Sequence, residues 1–497
     1  MGLFIEDTWM EIFLLITTSI VIVINYFHKT YNYWTRKGVP TIRPKFPLGN
    51  TNILLPRSFS VGTLSKRFYD EFKRQGHRFG GVYLVTAPNL VIVDPELIKD
   101  IMGKDFQHFV DRGFYYNKED DPLSAHLFAI DGLDWKNLRV KLTPTFTSGK
   151  MKKMFHSMIE CVNNMKEAID KSLGEDIDIK EMLGRFTTDV IGCCAFGIEC
   201  NSFKYPDAEF RAMGHKIFQP GLLKSIRAFL AMNLPKLALR LGVKTLNEDI
   251  AKFFKDIVAD TVKLRQEKNI RRNDFLQILI DLQDSANFTI GEMAAQVFLF
   301  FIAGFETSST AMTFGLYELA RNPDVQKKLR EEICQVLEKY DNKITYESLN
   351  EMKYLEQVFD ETLRMYPPLP NLNRRCTKNY TLPDTNVVVE EGTSLLISAL
   401  GLHMDPEYYP EPEKFDPERF SEENKKARHP FVHLPFGDGP RNCIGLRFGL
   451  MQSKIGIITV IKNFHLSVSP LTKPVEFNPR TFLLSSKNNV YLKAENE

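Results

Sequence analysis

Residues Pro435 to Gly445 read Pro-Phe-Gly-Asp-Gly-Pro-Arg-Asn-Cys-Ile-Gly, and the interpretation of the whole chain begins with them. Gly437 and Gly439 can adopt a positive φ without a steric penalty, so the backbone can turn tightly and approach a ligand closely. Apolar residues then recur at three- and four-residue steps, which predicts one apolar face of a long helix. Cys443 is therefore expected at a helix N-terminus, where free N–H groups and the helix dipole favour a thiolate. The residues of that predicted face are Ile444, Phe448, Met451, Ile455, Ile458 and Ile461.

A thiolate is a soft ligand for a metal, although a lone cysteine is more commonly a small buried hydrophobe. Structural zinc requires four protein ligands, and this stretch offers one thiolate. A haem brings four nitrogens of its own and needs one ligand from the protein, so haem fits the pattern best.

The spacing Phe-Gly-x-Gly-x-Arg-x-Cys-x-Gly resembles the haem-binding loop of the cytochrome P450 haem-thiolate monooxygenases. Three further motifs described below agree, and together they resemble the animal microsomal branch, near insect members that metabolise xenobiotics. The resemblance implies haem b (iron protoporphyrin IX) with Cys443 as the axial ligand of the iron, and Phe436 beside the cofactor. It also implies the fold of that family.

Length and composition narrow the class of protein. A chain of 497 residues with 43% hydrophobic and 25% charged residues is typical of a globular protein with a large core. A net charge of +2 without a long basic block argues against nucleic-acid binding. Seven cysteines, without the paired spacing of metal sites, indicate reduced thiols facing the cytosol.

The N-terminus predicts a membrane anchor, which we assign to residues 1–28. Trp9 to Phe27 carries a single charge, Glu11, and as a helix would span about 28 Å, close to the ~27 Å core of the endoplasmic reticulum bilayer. Acidic residues precede the run and basic residues follow it, so the positive-inside rule places the rest of the chain in the cytosol. A cleaved signal peptide is the alternative, but its basic n-region and small-residue cleavage site are absent from the sequence.

A basic, proline-rich hinge is predicted at 29–50, because Gly38 to Gly49 is too rich in Pro and Gly to be helical. Gly81–Val85 and Leu90–Val93, separated by Thr86–Asn89, predict a β-hairpin. Further strand signals occur near 386–390 and 394–398. The remaining segments have mainly helical periodicity. We therefore expect a mainly α fold with a small β region, and a single haem domain over 51–497.

Trp135 and Arg139 are four residues apart, on one face of a predicted helix. A buried tryptophan beside a solvated arginine explains the pair equally well without further context. By resemblance both bind a haem propionate, a carboxylate that suits a guanidinium. The resemblance assigns the same role to Arg112, Arg374 and Arg441.

A second helix of interest is predicted to start at the capping box Thr289-Ile290-Gly291-Glu292 and to end near Arg321. Its run Ala303-Gly304-Phe305-Glu306-Thr307-Ser308 places a carboxylate and a hydroxyl where a core helix should be apolar. The Thr307 hydroxyl can bond the carbonyl of Ala303 and open a local kink. A flexible helix with a surface-facing Glu306 is the simpler alternative. By resemblance this is the distal helix, where Thr307 with Glu306 delivers protons to oxygen bound at the haem.

The residues 206–243 correspond by resemblance to lid helices that determine specificity and touch the membrane a second time. An ordinary packed helix pair explains their apolar residues equally well. Glu361 and Arg364, with Arg419 in Pro417-Glu418-Arg419-Phe420, resemble the structural triad of the family. The substrate pocket is assigned to residues of four separate segments: Phe128, Ile302, Ala303, Leu369 and Leu483.

The sequence lacks a glycine-rich dinucleotide fingerprint and a P-loop, so electrons are expected from outside the chain. The family resemblance implies that their source is a separate NADPH-cytochrome P450 reductase, with cytochrome b5 as a further donor. It also implies a reaction that inserts one atom of O2 into a lipophilic small molecule: a xenobiotic, plant toxin, insecticide, or endogenous lipid or hormone. Two alternatives are a P450-fold isomerase or dehydratase and a non-catalytic haem-binding protein. A basic face, or simply a solvated lysine surface, is formed by Lys136, Lys141, Lys150, Lys152 and Lys153.

Overall fold

A helix from Ile290 to Arg321 runs through the molecule, and we call it the central helix. Its capping box is formed: the Thr289 side chain accepts from the Glu292 N–H, and the Glu292 side chain accepts from the Thr289 N–H. Its residues are mostly buried, and Pro323 follows its end by two positions. The start, the end and the core position of this helix are therefore confirmed.

The computed structural model describes residues 8–51, 60–219, 221–283, 288–479 and 481–497, without the side chains of Thr8 and Leu222. Helices predominate and strands are few, which confirms the predicted fold class. The described α-helices are Thr8–Tyr31, Tyr33–Arg36, Val61–Arg74, Pro95–Lys99, Gly132–Leu142, Ser148–Asp170, Ile179–Ile191, Glu209–Phe218, Leu222–Asn233, Pro235–Arg240, Glu248–Lys268, Phe275–Asp281, Ile290–Arg321, Pro323–Glu338, Ser348–Glu351, Lys353–Met365, Ala399–His403, Glu422–Ala427 and Leu446–Asn463.

The strands form three small sheets. A four-stranded sheet has the order β1-β2-β7-β4, in which β2 and β7 are parallel and the other pairs are antiparallel. The other sheets have the orders β3-β9-β8 and β5-β6. The strands are β1 Phe79–Leu84, β2 Ala87–Ile92, β3 Ile177–Asp178, β4 Asn371–Arg375, β5 Tyr380–Thr381, β6 Val388–Val389, β7 Ser394–Ser398, β8 Phe464–Val468 and β9 Tyr491–Asn496.

The β-hairpin is confirmed, but its turn is tighter than predicted. Strand β1 ends at Leu84 and β2 begins at Ala87, so two residues, Val85 and Thr86, make the turn. Val85 has a φ of +58°. Pro88 is tolerated inside β2 because it precedes Asn89, where the pairing with β7 begins.

The C-terminal helix, Leu446–Asn463, follows the cysteine loop and packs against the central helix and Ser148–Asp170. The sequence predicted burial of one face of this helix only, whereas every residue from Met451 to Ile461 is buried. Neighbouring helices cover this helix on all sides, which no single periodicity signal could indicate.

The N-terminal helix, Thr8–Tyr31, is exposed along its length, and its segment Trp9–Tyr31 is long and apolar enough to cross a membrane. The central helix also meets that measure of length and hydropathy, but 67% of its apolar window is buried in the protein. Residues 37–51 contain no helix, but the first part of the predicted hinge 29–50 is helical, because the N-terminal helix continues to Tyr31 and a short helix, Tyr33–Arg36, follows it. Trp34 packs this region against the sheet and is fully buried. Its ring lies directly on Gly81 of β1, where a Cβ would come within 2.3 Å of it, so only glycine fits at that position.

Candidate cofactor site

The loop before the C-terminal helix folds as its glycines predict. Gly437 has a φ of +67° and Gly439 a φ of +69°. A Cβ on Gly439 would lie 1.8 Å from the carbonyl oxygen of Met102, so both the backbone angle and the close contact require glycine. The N–H of Cys443 donates to the Phe436 carbonyl at 2.9 Å and closes the loop.

Cys443 lies three residues before the helix begins at Leu446, and it faces an internal cavity. The expected preference for thiolate is wrong for the protein without a metal, because burial raises the pKa of the Cys443 thiol. The Gly445 N–H, which bonds the sulfur, and the charges of Arg112 and Arg139 lower that pKa by less than burial raises it. A metal cation at the sulfur would supply the missing stabilisation, since coordination deprotonates a thiol.

The cavity has a volume of about 1130 Å³. Pockets for drug-sized ligands reach about 300–1,000 Å³, so this cavity has room for a large cofactor and a small molecule together. Phe114 stacks on Phe128 with ring centroids 5.1 Å apart and meets Phe482 edge-on at 5.9 Å, which gives one wall an aromatic surface. All residues predicted for the substrate pocket line this cavity: Phe128, Ile302, Ala303, Leu369 and Leu483.

Arginines predicted to bind propionates surround the same cavity. Burial lowers the pKa of Arg374 to about 10, and its Nε has no hydrogen-bond partner among the described residues. Burial also lowers the pKa of Arg441 to about 10, and within the described part of the chain its Nη1 lacks a partner. The pKa of Arg112 is lowered well below its usual range by burial first and then by the charges of Arg374 and Arg441. Arg139 lines the cavity as well.

This cluster has too little negative charge of its own. Asp131 and Asp111 lie 3.7 Å and 4.0 Å from Arg441, and burial together with Asp111 raises the pKa of Asp131 to about 6. Unpaired buried guanidinium groups are costly, so the cluster indicates an anionic ligand. A haem, with two carboxylates and an iron that takes one thiolate, fits both the arginines and Cys443.

The tryptophan and the arginine of the predicted pair have different neighbours. The Arg139 guanidinium donates to the Asn442 carbonyl at 2.9 Å and to its side-chain oxygen at 2.8 Å, which braces the residue before Cys443. The Trp135 ring lies 4.2 Å from the Arg441 guanidinium carbon. This cation–π contact joins segments about 300 residues apart, and no local pattern around either residue indicates it.

The central helix brings the other predicted functional residues to the cavity. The Thr307 hydroxyl donates to the Ala303 carbonyl, as expected, although the helix continues through this step without interruption. Glu306 is not a free surface carboxylate: Lys180 lies 2.9 Å from its Oε1 and also donates to Ser309 and Thr310. Sequence reasoning missed Lys180, which belongs to the helix Ile179–Ile191 and has no motif around it.

The three residues of the predicted triad meet beneath this site. Arg364 donates to both oxygens of Glu361, at 2.6 and 2.8 Å, and both side chains are fully buried. The Arg419 Nε lies 3.4 Å from the same carboxylate, and the Asp416 N–H donates to it at 2.9 Å. Arg364 also donates to the backbone carbonyls of His403 and Pro412, in the segment that follows strand β7. The cluster therefore joins the helix Lys353–Met365 to the segment around 403–419.

We expect Glu361→Gln to destabilise the protein by about 3–5 kcal/mol, because it leaves the buried Arg364 charge without its carboxylate. Denaturant unfolding followed by haem absorbance measures this loss. Glu356→Gln on the same helix is the matched control, since Glu356 is half exposed and its lysine partners lie 3.8–4.0 Å away. That change should cost about 1 kcal/mol or less. Equal losses for the two variants would contradict a structural role for the triad.

Two histidines beside the triad, His403 fully buried and His433 partly buried, predict sensitivity to acid. His403 Nδ1 donates to the Arg364 carbonyl at 3.2 Å and its Nε2 accepts from the Leu434 N–H at 2.8 Å, an arrangement that requires neutral imidazole. Burial lowers the pKa of His403 well below 6.5 and that of His433 to about 3. His433 has a pKa of 6.5 in the unfolded chain and about 3 in the folded protein. Below pH 6.5 the unfolded chain therefore binds a proton that the folded protein does not. The stability that the neutral imidazole contributes is full above pH 6.5 and is lost as the pH falls toward 3.

The expected loss for His433 is about 1.4 kcal/mol per pH unit below pH 6.5. Urea unfolding at pH 7.5, 6.5 and 5.5 measures it. His433→Asn removes this titration, so its stability should fall less steeply over the same range. Parallel slopes for the two proteins would show that His433 is protonated in the folded state.

Comparison with known proteins covers almost all of the chain. The family model described as Cytochrome P450 matches residues 47–493. Cytochrome P450 6a2 of Drosophila melanogaster is 43% identical over 502 residues, which cover 97% of this chain and 99% of that protein. Probable cytochrome P450 6a13 of the same organism is 45% identical over 94% of each chain. All the predicted site residues lie inside the matched range.

Proposed function

Because this chain belongs to the cytochrome P450 family, with insect relatives as its resemblance predicted, we propose that it is a membrane-bound haem-thiolate monooxygenase that takes electrons from NADPH through a separate reductase. The proposal rests on one observation: the Cys443 sulfur and a cluster of buried arginines with too few carboxylates to balance their charge line the same cavity. The substrate is a lipophilic small molecule, either a xenobiotic or an endogenous lipid, because the rest of the cavity wall is mainly apolar.

Bound haem would supply O2 activation and transfer of one oxygen atom to the substrate. Cys443 would be the protein ligand of its iron, in a loop that the Cys443 N–H closes on the Phe436 carbonyl. Arg112, Arg374, Arg441 and Arg139 would bind the propionates. Trp135 stacks on Arg441, and Arg139 also braces Asn442. The apolar wall excludes water and holds the substrate near Ala303. The Thr307 hydroxyl donates to the Ala303 carbonyl, and its oxygen can accept a proton carrier such as a water molecule.

Proton supply to that position begins at Glu306. Its carboxylate lines the cavity one residue before Thr307, and the ammonium of Lys180 holds it. The ion pair with Lys180 fixes the Glu306 carboxylate at the cavity wall, where it is placed to pass protons inward to Thr307. A P450-fold isomerase or dehydratase needs no such pair, because it does not reduce O2.

The redox partner is proposed to dock on the helix Gly132–Leu142, which carries Trp135 and Arg139 inward. Its outer face exposes Leu133 and Val140, at 74% and 66%, beside Lys136. Apolar anchors among lysines suit the acidic surface of an NADPH-cytochrome P450 reductase, or of cytochrome b5. Of the other predicted lysines, Lys152 pairs with Glu347. Lys150 and Lys153 line a separate small cavity with two arginines, Arg271 and Arg272.

Two observations support a location in the endoplasmic reticulum membrane with the haem domain in the cytosol. The first is the exposed apolar N-terminal helix, followed by basic residues. The second is a set of apolar side chains with 38–67% exposure, which we call the lid patch. It consists of Leu223, Ile226, Phe229, Met232, Leu234, Leu237, Leu239 and Leu241.

We expect the lid patch to bind lipid without the anchor. A chain beginning at Tyr33 should still sediment with vesicles, and Leu223→Asn with Leu239→Asn should lower its partition coefficient at least tenfold. Full burial of one leucine is worth about 1.5–3 kcal/mol, so the loss of two accounts for this change. Leu133→Asn with Val140→Asn is the control and should leave sedimentation unchanged. Equal sedimentation of the two double variants would contradict a membrane contact at the lid.

The proposed function is tested on the full chain loaded with haem. Reduction under carbon monoxide should give a thiolate-type Soret maximum, and addition of reductase and NADPH should cause O2 consumption that a lipophilic substrate stimulates. Stoichiometric haem without the thiolate-type band would overturn the ligand assignment. Product formation without NADPH would favour the isomerase, and a thiolate band without any O2 consumption would favour a haem-binding protein.

A further inference from the structure

The charged residues of the cavity are unequally balanced. Among its described lining residues the acidic side chain is Glu306, and Lys180 already pairs with it. His126 also lines the cavity, and burial lowers its pKa to about 4, so that it is neutral at physiological pH. The cations are the four arginines of the propionate cluster and one lysine, Lys224. The described lining residues therefore leave no unpaired carboxylate to receive a positively charged substrate.

Lys224 is separate from the arginine cluster. It lies on the lid helix Leu222–Asn233, whereas the charges that lower the pKa of Arg112 are those of Arg139, Arg374 and Arg441. Burial alone lowers the pKa of the Lys224 ammonium, with no neighbouring charge contributing. The carboxylates of a haem held by the arginines would therefore leave Lys224 uncompensated.

The Lys224 side chain turns into the protein instead of extending into solvent. Its ammonium donates to the carbonyls of Ile217 and Gln219, the latter at 3.3 Å, and both of these residues line the cavity. An ammonium has three N–H donors, so one remains for a ligand. Among the described residues, no ion pair joins this ammonium to a carboxylate. A half-buried cation with a spare donor and no counter-ion favours an anionic ligand.

The lid helix has two different faces. Lys224 and Ala228, one turn apart, line the cavity, whereas Leu223 and Ile226 belong to the exposed lid patch. The helix therefore separates the proposed membrane contact from the cavity. An amphipathic molecule that entered the cavity from the membrane would pass this helix, and its polar end would meet Lys224.

We propose that this cavity preferentially binds lipophilic carboxylic acids, whose carboxylate accepts a hydrogen bond from Lys224 while the apolar body lies along the wall formed by Phe114, Phe128 and Phe482. The proposal rests on the proposed function and names the substrate class of that site. Lys224 is a specificity-determining residue in this account, because it selects the charge of the ligand and takes no part in oxygen chemistry.

The test compares three probes with one chain length: tetradecanoic acid, its methyl ester and the tetradecyltrimethylammonium ion, whose nitrogen cannot bind iron. Binding to the haem-loaded full chain is measured by the shift of the Soret band and by equilibrium dialysis. The acid should bind at least tenfold more tightly than the ester, and the quaternary ion should bind most weakly. Equal affinity for acid and ester would overturn the proposal.

Variants separate this role from a purely structural one. Lys224→Met should weaken acid binding at least tenfold and leave ester binding within twofold, whereas Lys224→Arg should retain the preference for acid. Lys236→Met, at an exposed lysine of the neighbouring lid helix Pro235–Arg240, is the matched control and should change neither. Equal weakening of acid and ester by Lys224→Met would show that Lys224 only caps the carbonyls of Ile217 and Gln219. The carbon monoxide spectrum does not depend on this outcome, so the two proposals can fail separately.

Discussion

Cys443→Ala should abolish the thiolate-type Soret maximum of the reduced carbon monoxide complex and reduce NADPH-dependent product formation to background. The reason is the composition of the cavity wall. Among its described residues, Cys443 supplies the thiolate that a haem iron can accept, and His126 is the other side chain with a donor atom typical for iron. The propionate arginines remain in place, so haem should still bind, with lower affinity and without the sulfur ligand.

Two further variants sharpen this experiment. Cys443→His should give a histidine-type spectrum, because the imidazole would occupy the ligand position at the same point of the loop. Cys334→Ala, at a half-buried cysteine of the helix Pro323–Glu338, should keep the thiolate-type band. A thiolate-type band that survived in Cys443→Ala would mean that another cysteine binds the iron, and the loop would then lose its assigned role.

The features that the residue pattern alone predicted correctly are local ones, which depend on residues close together in the chain. The capping box at Thr289 and Glu292 is a local hydrogen-bonding pattern, and it located the start of a helix that ends 32 residues later. The two loop glycines, Gly437 and Gly439, predicted positive φ angles for the same reason. Such signals depend on a few neighbouring atoms, so a single sequence is enough to read them.

Contacts between distant segments could not be predicted in this way. Lys180 pairs with Glu306 across 126 positions, and Arg441 stacks on Trp135 across about 300. Nothing around Lys180 distinguishes it from a surface lysine, because its partner lies on another helix. The pKa of Cys443 is a similar case: its position near a helix start favoured a thiolate, but burial by the remainder of the fold raises the pKa.

Strand β4 was missed for a related reason. Its sequence, Asn-Leu-Asn-Arg-Arg over Asn371–Arg375, has almost no apolar alternation. It is a strand because β7 pairs with it and because Arg374 is directed into the buried cluster by the cavity. Polar residues that line a binding site replace the alternating apolar residues by which a strand is recognised. Strand β4 contributes such residues to the candidate site, so its sequence lacks the usual strand pattern.

Thr307→Ala should leave haem and substrate binding intact but divert reduced oxygen to hydrogen peroxide, lowering the product formed per NADPH about tenfold or more. The Thr307 hydroxyl lies on the cavity wall, with its hydrogen donated to the Ala303 carbonyl and its oxygen free to accept from water. Removing the hydroxyl removes the acceptor that would hold a water beside Ala303, so proton delivery to the cavity would lose its fixed route. General acid–base contributions of positioned groups are about 10²–10⁴-fold, so a tenfold loss of coupling is a conservative expectation.

The matched control lies on the same helix. Thr313 donates to the carbonyl four residues back at 2.7 Å, as Thr307 does, but it is buried and does not line the cavity. Thr313→Ala should therefore leave coupling unchanged, and Thr307→Ser should restore most of it because the hydroxyl remains. Oxygen uptake, peroxide and product are measured together for the four proteins. If Thr307→Ala kept full coupling, or if Thr313→Ala lost as much, the hydroxyl at position 307 would have no part in proton delivery, and Glu306 with Lys180 would have to act through water alone.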